Sequence, residues 1–344
     1  AAGGALTSVV LVVAVGGITA ATFNTQSVSE PRYSGLLTMT DRAVGDVESI
    51  LSRYDEYSAQ LSDLVGNMVT LYLAAEGLPV DDPRDDTVRV LHISDLHLSF
   101  HALDVVDRLA NQFDVDVIAD TGDSTDWGTP LEDGFVEEFS RFNRPYVWIG
   151  GNHDSAGTQR AVEGLSNTIV LDEEARTVGG IRFWGAGDPR FTPDQQEDLS
   201  LDDQRTVAED FAFDVREMVE DASGPPIDVV MVHDPRMAEE LGGVVPLALA
   251  GHTHSVDDYR LGEDDETLVL VEGSTGGAGL RGLQGEEPEP MTATVLYFDP
   301  EASELVAYDR ILIEGLGGGA TIERQVVMDP DDPDDPDDAA EADT

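Results

Sequence analysis

The chain has no cysteine and no lysine. All 19 basic residues are arginine, and only seven histidines stand among 344 residues. Each scarcity excludes something. Without Cys there is no disulfide framework, no thiol nucleophile and no zinc–thiolate site. Nineteen basic residues against 70 carboxylates give a formal charge of −51, the wrong sign for an extended nucleic-acid or anionic-lipid face. What the chain does have is a 41% hydrophobic fraction with Phe, Trp and Tyr present. That is enough for a real core and argues against global disorder. The length allows one large domain or two ordinary ones.

The acidic excess is spread along the chain, although nine carboxylates sit in residues 329–344. One reading is an ordinary acidic protein whose codon usage favours Arg over Lys. The sharper one is adaptation to a salty medium, because about 1 M salt shortens the Debye length to about 3 Å and self-repulsion then costs little. Salt adaptation predicts a melting temperature that climbs with salt; a flat response from about 0.1 to 2 M overturns it.

Charge is also missing from the first 29 residues, Glu30 being the first charged side chain. Within them Ala5 to Phe23 is almost continuously apolar, and as a helix it would span roughly 28 Å, close to a bilayer core. A transmembrane helix is expected. A secretory signal ending near Thr19-Ala20-Ala21 and a core segment are the alternatives. Only Arg32 precedes Arg42 on the following side, so the downstream domain is expected to be membrane-anchored and extracytoplasmic.

Val47, Leu51, Tyr54, Leu61, Val65, Met68 and Tyr72 recur at steps of three, four or seven and predict helix within residues 36–75. That helix would be either a stalk pairing two chains in a homodimer or a hairpin packed on the next domain. Gly45 and Gly66 interrupt the pattern. Leu78-Pro79-Val80-Asp81-Asp82-Pro83 reads as a linker. The expected regions are therefore 1–29 (apolar segment), 30–86 (helical region and linker), 87–328 (main domain) and 329–344 (acidic, Pro-broken, disordered tail).

In the main domain, apolar strands are predicted at Val88–Ile93, Val115–Ala119, Tyr146–Ile149, Ile227–Val232 and Leu247–Ala250. Helices are predicted near 101–113, 132–142, 157–164 and 203–220. The alternation means an α/β architecture. Leu268–Val271, Ala293–Phe298 and Leu305–Ile313 follow with little helix between them and are expected to build a mixed second sheet.

Five short polar motifs sit at strand ends: Asp95-Leu96-His97, Gly122-Asp123-Ser124-Thr125-Asp126, Gly151-Asn152-His153-Asp154, a lone His233, and Gly251-His252-Thr253-His254. They hold five of the seven histidines. An open α/β sheet places its ligand crevice at such strand ends. Carboxylates, an Asn carbonyl and imidazoles without sulfur suit Mn²⁺, Zn²⁺ or Fe. There are too many ligands for one catalytic ion and enough for two, which can clamp a displacement at phosphorus. Singly, each motif is ordinary turn or strand-end chemistry.

Together, in this order, the motifs resemble those of the calcineurin-like metallophosphoesterases, over about residues 87–313. The resemblance implies a four-layer α/β/β/α sandwich, preceded here by the N-terminal helical region, with a dinuclear metal site at the sheet edges. It implies Asp95, His97 and His254 on one ion, Asn152, His233 and His252 on the other, and Asp123 bridging both. A bridging hydroxide would then attack phosphorus. His153 would contact the phosphoryl group or protonate the leaving oxygen, with the Asp126 carboxylate orienting it. Asp154 is expected to fix its loop. Gly185 to Pro193 and Gly273 to Arg281 also look like segments of membrane-anchored bacterial members. Arg190 and Arg281 are candidates for a substrate-phosphate contact or for salt bridges. His92 is expected in the core or at a strand edge, and His101 at a helix start.

The expected activity is metal-dependent hydrolysis of a phosphomonoester or phosphodiester. A non-enzymatic binding module or a membrane-tethered sensor on the same scaffold is the alternative. The charge disfavours nucleic acid as substrate and favours small or lipid phosphoesters.

Overall fold

The computed structural model describes residues 87–190, 200–277, 290–313 and 319–327. The apolar segment at 1–29, the helical region and linker at 30–86, the acidic tail and Arg281 lie outside the described residues. Among the described residues no helix is long and apolar enough to cross a membrane.

Two sheets form the centre. The first is built on β1 (Val88–Ile93), β2 (Val117–Asp120), β3 (Tyr146–Trp148) and β4 (Thr168–Val170), which run parallel in that order. On the other side of β1 it continues antiparallel through β11 (Met291–Phe298), β12 (Leu305–Ile313) and β13 (Ala320–Val326). The second sheet has the order β5 (Glu174–Val178), β6 (Ile181–Gly185), β7 (Val229–Met231), β8 (Leu247–Ala250), β10 (Thr267–Val271), β9 (Asp257–Leu261). Its β6, β7, β8 and β10 are parallel, with antiparallel strands at both edges.

Strand alternation decides which side chain enters which layer. Val90, Val117, Ala119, Val147 and Ile149 of the first sheet meet Phe183, Val229, Met231, Leu247, Leu249 and Leu270 of the second. The opposite faces point outward. Leu91, Ile93, Ile118, Tyr146 and Trp148 pack with α1 (Phe100–Gln112), α2 (Asp133–Val136) and α3 (Ala156–Glu163). Val230, Val232, Ala248, Ala250, Val269 and Val271 pack with Ala208, Val215 and Val219 of α4 (Leu201–Glu220). The result is four layers, α/β/β/α. Strands buried on both faces are apolar at most positions, which explains the unbroken runs such as Leu247-Ala248-Leu249-Ala250. Truncating one such core side chain to Ala costs about 2–5 kcal/mol.

The later strands depart from the expectation of a mixed second sheet of their own. β10 joins the second sheet, but β11 and β12 extend the first from its β1 edge. Periodicity identifies a strand and not its partner, and β11 is buried along its whole length because its two faces enter two different cores, Ala293, Val295 and Tyr297 one and Leu296 and Phe298 the other. The edge strands β5, β9 and β13 were not foreseen. Each carries exposed polar positions, so none shows an apolar run. The Gly179-Gly180 pair between β5 and β6, both at positive φ, is a hairpin signal that could have located β5 together with β6, which was likewise not foreseen.

Candidate metal centre

The parallel strands of both sheets end at the same rim. Asp95 and His97 follow β1, Asp123 follows β2, Asn152 follows β3, His233 follows β7 and His252 follows β8. The loops are laced to one another. Asp95 N donates to the Gly122 carbonyl (2.9 Å), His97 N to the Asp123 carbonyl (3.0 Å) and Leu98 N to the Ser124 carbonyl (3.1 Å). His252 N donates to Asp95 Oδ2 across the two sheets at 2.9 Å. Asp95, His97, Asp123, His252 and His254 all have positive φ. Such backbone strain in non-glycine residues costs on the order of 1–3 kcal/mol each and concentrates at functional sites.

Two glycines permit this closeness. A Cβ on Gly151 would collide with the Asp123 carboxylate, and one on Gly251 with the Ser94 hydroxyl and Asp95 carboxylate. The glycines of the Gly-Asn-His and Gly-His-x-His motifs are therefore packing requirements of the site.

The loops gather two groups of ligand type: Asp95, His97 and His254, and Asp123, His233 and His252. Within each, one carboxylate oxygen and two imidazole nitrogens lie within 4.8 Å of one another. His97 Nε2 and His254 Nε2 are 3.1 Å apart, and His254 Nε2 is 3.3 Å from Asp95 Oδ1. Asp123 Oδ2 is 3.1 Å from His233 Nε2 and 3.9 Å from His97 Nε2, so it faces both groups. Asn152 is half-buried, with its side-chain oxygen shielded from solvent.

These residues fit a pair of divalent ions on two grounds. The donor set is hard to borderline, with no sulfur. Asp95 Oδ1 and His233 Nε2 are also buried atoms without a hydrogen-bond partner, His233 lying close to Asp123 but outside hydrogen-bond geometry. Orphaned buried polar atoms are costly unless something satisfies them.

The imidazoles are aimed from behind. His97 Nδ1 is 2.9 Å from Asp126 Oδ1, and His233 Nδ1 donates to the Thr121 carbonyl at 2.8 Å. Each arrangement turns Nε2 toward the centre, the usual manner in which outer partners orient metal-binding histidines. His252 Nε2 lies 3.5 Å from Asp234 Oδ2. Burial pushes the His252 pKa down, and neighbouring His233 adds to it, which keeps the ring in its ligating form. Burial alone would raise the Asp123 carboxyl, but His233, His153 and His97 hold it well below the usual carboxylate range. Burial likewise opposes protonation of His233, yet Asp123 and Asp95 hold its pKa well above the ordinary value. Two buried carboxylates thus attract positive charge at this spot, and a cation bound there would supply it while displacing the proton.

The role expected for the Asp126 carboxylate needs correction. Its Oδ1 engages His97, while its backbone carbonyl accepts from His153 Nδ1 at 2.7 Å. The turn after Asp123 carries the carboxylate toward the first group and leaves the main chain facing His153. His153 is held a second time, its backbone N–H donating to Asp123 Oδ1 at 2.7 Å. Its ring stands edge-on to His97, centroids 5.3 Å apart.

Arg190 is buried and binds Asp188 (2.8 Å from Nε) and Asp234 (2.9 Å from Nη2). It takes the salt-bridging role of its two alternatives, bracing Asp234 behind His252. Asp154 fixes its loop as expected: its carboxylate accepts from Gly151 N (2.9 Å), Thr125 N (3.0 Å) and Thr125 Oγ1 (2.9 Å). Burial raises its pKa to about 6. His92 is buried, and burial lowers its pKa to about 3. Its Nε2 lies 3.1 Å from Thr121 Oγ1. His101 is half-buried in the first turn of α1.

Sequence reading missed Thr121, Asp234 and the grip of the 273–277 loop. There Ser274 Oγ donates to the Asp95 carbonyl (2.8 Å) and Thr275 N to the Ser94 carbonyl (2.8 Å). The position of Asp234 directly after His233 was the available signal. A concavity of about 280 Å³ borders the His252–His254 loop between Pro235, Thr253 and Tyr259. A larger one of about 770 Å³ lies between β5, β6 and α4, among Arg176, Trp184 and Phe211, and contains none of the ligand residues.

Behind the rim, Asp120 is buried, accepting from Tyr146 Oη at 2.6 Å and Gly122 N at 2.9 Å. Burial raises its pKa to about 8. The folded state therefore holds a proton that the unfolded chain releases above about pH 4, and this group subtracts stability as pH rises from about 4 to 8. Asp120→Asn is expected to raise the melting temperature of the metal-free chain more at pH 8 than at pH 4. An effect independent of pH would contradict a neutral Asp120.

The rim where the parallel strands of the two sheets end carries paired Asp/His groups suited to divalent metal ions. Comparison places it further. The family profile described as Metallophos, Calcineurin-like phosphoesterase, matches residues 88–256. The chain carries a calcineurin-like metallophosphoesterase domain, and it is an enzyme of metal-dependent phosphoester hydrolysis. No curated protein matches it in sequence. Among solved structures it is similar to an archaeal phosphodiesterase at 15% identity, covering 65% of this chain and 99% of that one, TM-score 0.38. It is also similar to a phosphoesterase from E. coli at 14% identity, covering 64% and 98%, TM-score 0.31. A metallophosphoesterase from Sphaerobacter thermophilus is similar at 18% identity, covering 70% and 88%, TM-score 0.32.

Proposed function

We propose that the chain hydrolyses a phosphomonoester or phosphodiester at a centre of two divalent ions, Mn, Fe or Zn. The observation that carries this is the pair of Asp/His groups with one Asp123 oxygen turned toward both. Asp95, His97 and His254 would hold one ion. Asn152, His233 and His252 would hold the other, with Asp123 shared. When bound, the ions supply Lewis acidity toward the phosphoryl oxygens and activate water near neutral pH.

The chain's own residues do the rest. Asp126 and Thr121 fix the ring orientations of His97 and His233. The Asp188–Arg190–Asp234 network holds the wall behind His252. His153, with Nδ1 committed to a carbonyl acceptor, presents Nε2 to the substrate. In its imidazolium form it binds the phosphoryl group or gives a proton to the leaving oxygen.

The test is a panel of mono-, di- and cyclic phosphoesters with Mn²⁺, repeated after chelation and metal restoration. Turnover that chelation removes and Mn²⁺ restores is expected. Turnover indifferent to chelation, or none on any ester, refutes the reading.

A further inference from the structure

Among the described residues, five large hydrophobic side chains are exposed: Phe100, Trp127, Leu131, Phe213 and Val326. Three of them belong to the loops that carry the metal-centre motifs. Phe100 opens α1, three residues after His97. Trp127, 67% exposed, directly follows Asp126, which holds both His97 and His153. Leu131, 95% exposed, lies in the turn closed by Glu132 N donating to the Thr129 carbonyl at 2.9 Å.

Two contacts anchor the segments that carry these positions. The Phe100 ring meets Phe135 of α2 edge-on, centroids 5.1 Å apart, and Phe135 stands four residues after Leu131. Ser155 Oγ donates to the Gly128 carbonyl at 2.8 Å, fastening the Trp127 segment to the loop of Asn152 and His153. A chain of net charge −51 has carboxylates in abundance for its surface. Large apolar side chains left exposed on the very segments that carry its metal-centre motifs therefore mark a place for apolar matter.

We propose that Phe100, Trp127 and Leu131 form an apolar lip that takes the hydrocarbon part of an amphiphilic, lipid-type phosphoester whose phosphoryl group lies at the metal centre. The proposal rests on the phosphoesterase reading and names its substrate class. A small hydrophilic ester gains nothing from an exposed indole, whereas an alkyl chain beside the phosphoryl group would cover all three side chains. The occupant is a single amphiphile rather than an anionic bilayer. The overall charge repels an anionic surface, while one phosphoryl group is attracted locally by the bound cations.

The chain carries its own reporter. Of its three tryptophans, Trp148 and Trp184 are buried and only Trp127 is exposed. Dihexanoyl phosphatidic acid, kept below its micelle concentration, and glycerol 3-phosphate share the phosphomonoester and differ in the chains. With the Zn²⁺-loaded protein the first should shift tryptophan emission to the blue, and glycerol 3-phosphate should not. Trp127→Ser should remove the shift. Trp127→Ser and Leu131→Ser should each lower the ratio of kcat/KM for the lipid over glycerol 3-phosphate by about tenfold, the scale of one large side chain withdrawn from water. No shift, or a shift with an unaltered ratio in both variants, overturns the lip. If neither ester is hydrolysed with any metal, the phosphoesterase reading fails, and an absent emission shift would then overturn the lip separately.

Discussion

Asp123→Ala is expected to abolish turnover and to strip metal from the centre. One Asp123 carboxylate oxygen lies 3.1 Å from His233 Nε2 and 3.9 Å from His97 Nε2, and the other accepts the His153 backbone N–H. Removing the carboxylate takes a shared negative charge from both groups and releases the loop carrying His153. Outer partners of metal ligands are themselves worth about 10–100-fold in metal affinity or activity, so the loss here should exceed about 100-fold. It should also lower the pKa of His233, which Asp123 holds up against burial. Asp123→Asn keeps the size and one acceptor and should lose metal without unfolding the loop, which separates charge from packing. Metal content after reconstitution, measured beside turnover, decides it. Retained metal with normal turnover would remove Asp123 from the centre.

His153→Ala should behave oppositely with respect to metal. His153 is in neither Asp/His group, so ion content should be kept while kcat falls by about 10²–10⁴, the range of a lost general acid. The deficit should shrink for esters with good leaving groups, which need no proton. Loss of metal in this variant would make His153 a ligand and defeat the assignment. Asp126→Asn supplies the contrast. Because its carboxylate engages His97 and its backbone carbonyl engages His153, the substitution should weaken metal at the first group by about 10–100-fold. The leaving-group dependence of the reaction should stay as it was.

Much of this was legible along the chain. The apolar strands Val88–Ile93 and Leu247–Ala250 were placed residue for residue: Leu247–Ala250, covered on both faces, has no polar position to blur its edges, and in Val88–Ile93 only Arg89 and His92 interrupt the apolar run. The helix expected near 101–113 runs from Phe100 to Gln112, capped by Ser99. The stretch expected as one helix at 132–142 is instead a short α-turn running into a 3-10 segment at Glu137–Arg141. Polar edge strands such as β9 left no periodic trace. The motifs identified the residues that converge, but not what stands behind them. A side chain and a backbone carbonyl of one residue, Asp126, serve two different histidines, and no spacing rule separates the two.

Residue type and order along the chain determined the α/β class, the polar strand ends and the absence of thiol chemistry, since these depend only on local patterning and composition. Tertiary structure alone decided that β11 pairs with β1, with β12 beyond it, and that Arg190 braces Asp234. It also decided that Asp123 faces both histidine groups. Each of these is a contact between segments distant in sequence. Such contacts arise only when two sheets bury their inner faces together and bring their strand ends to one rim.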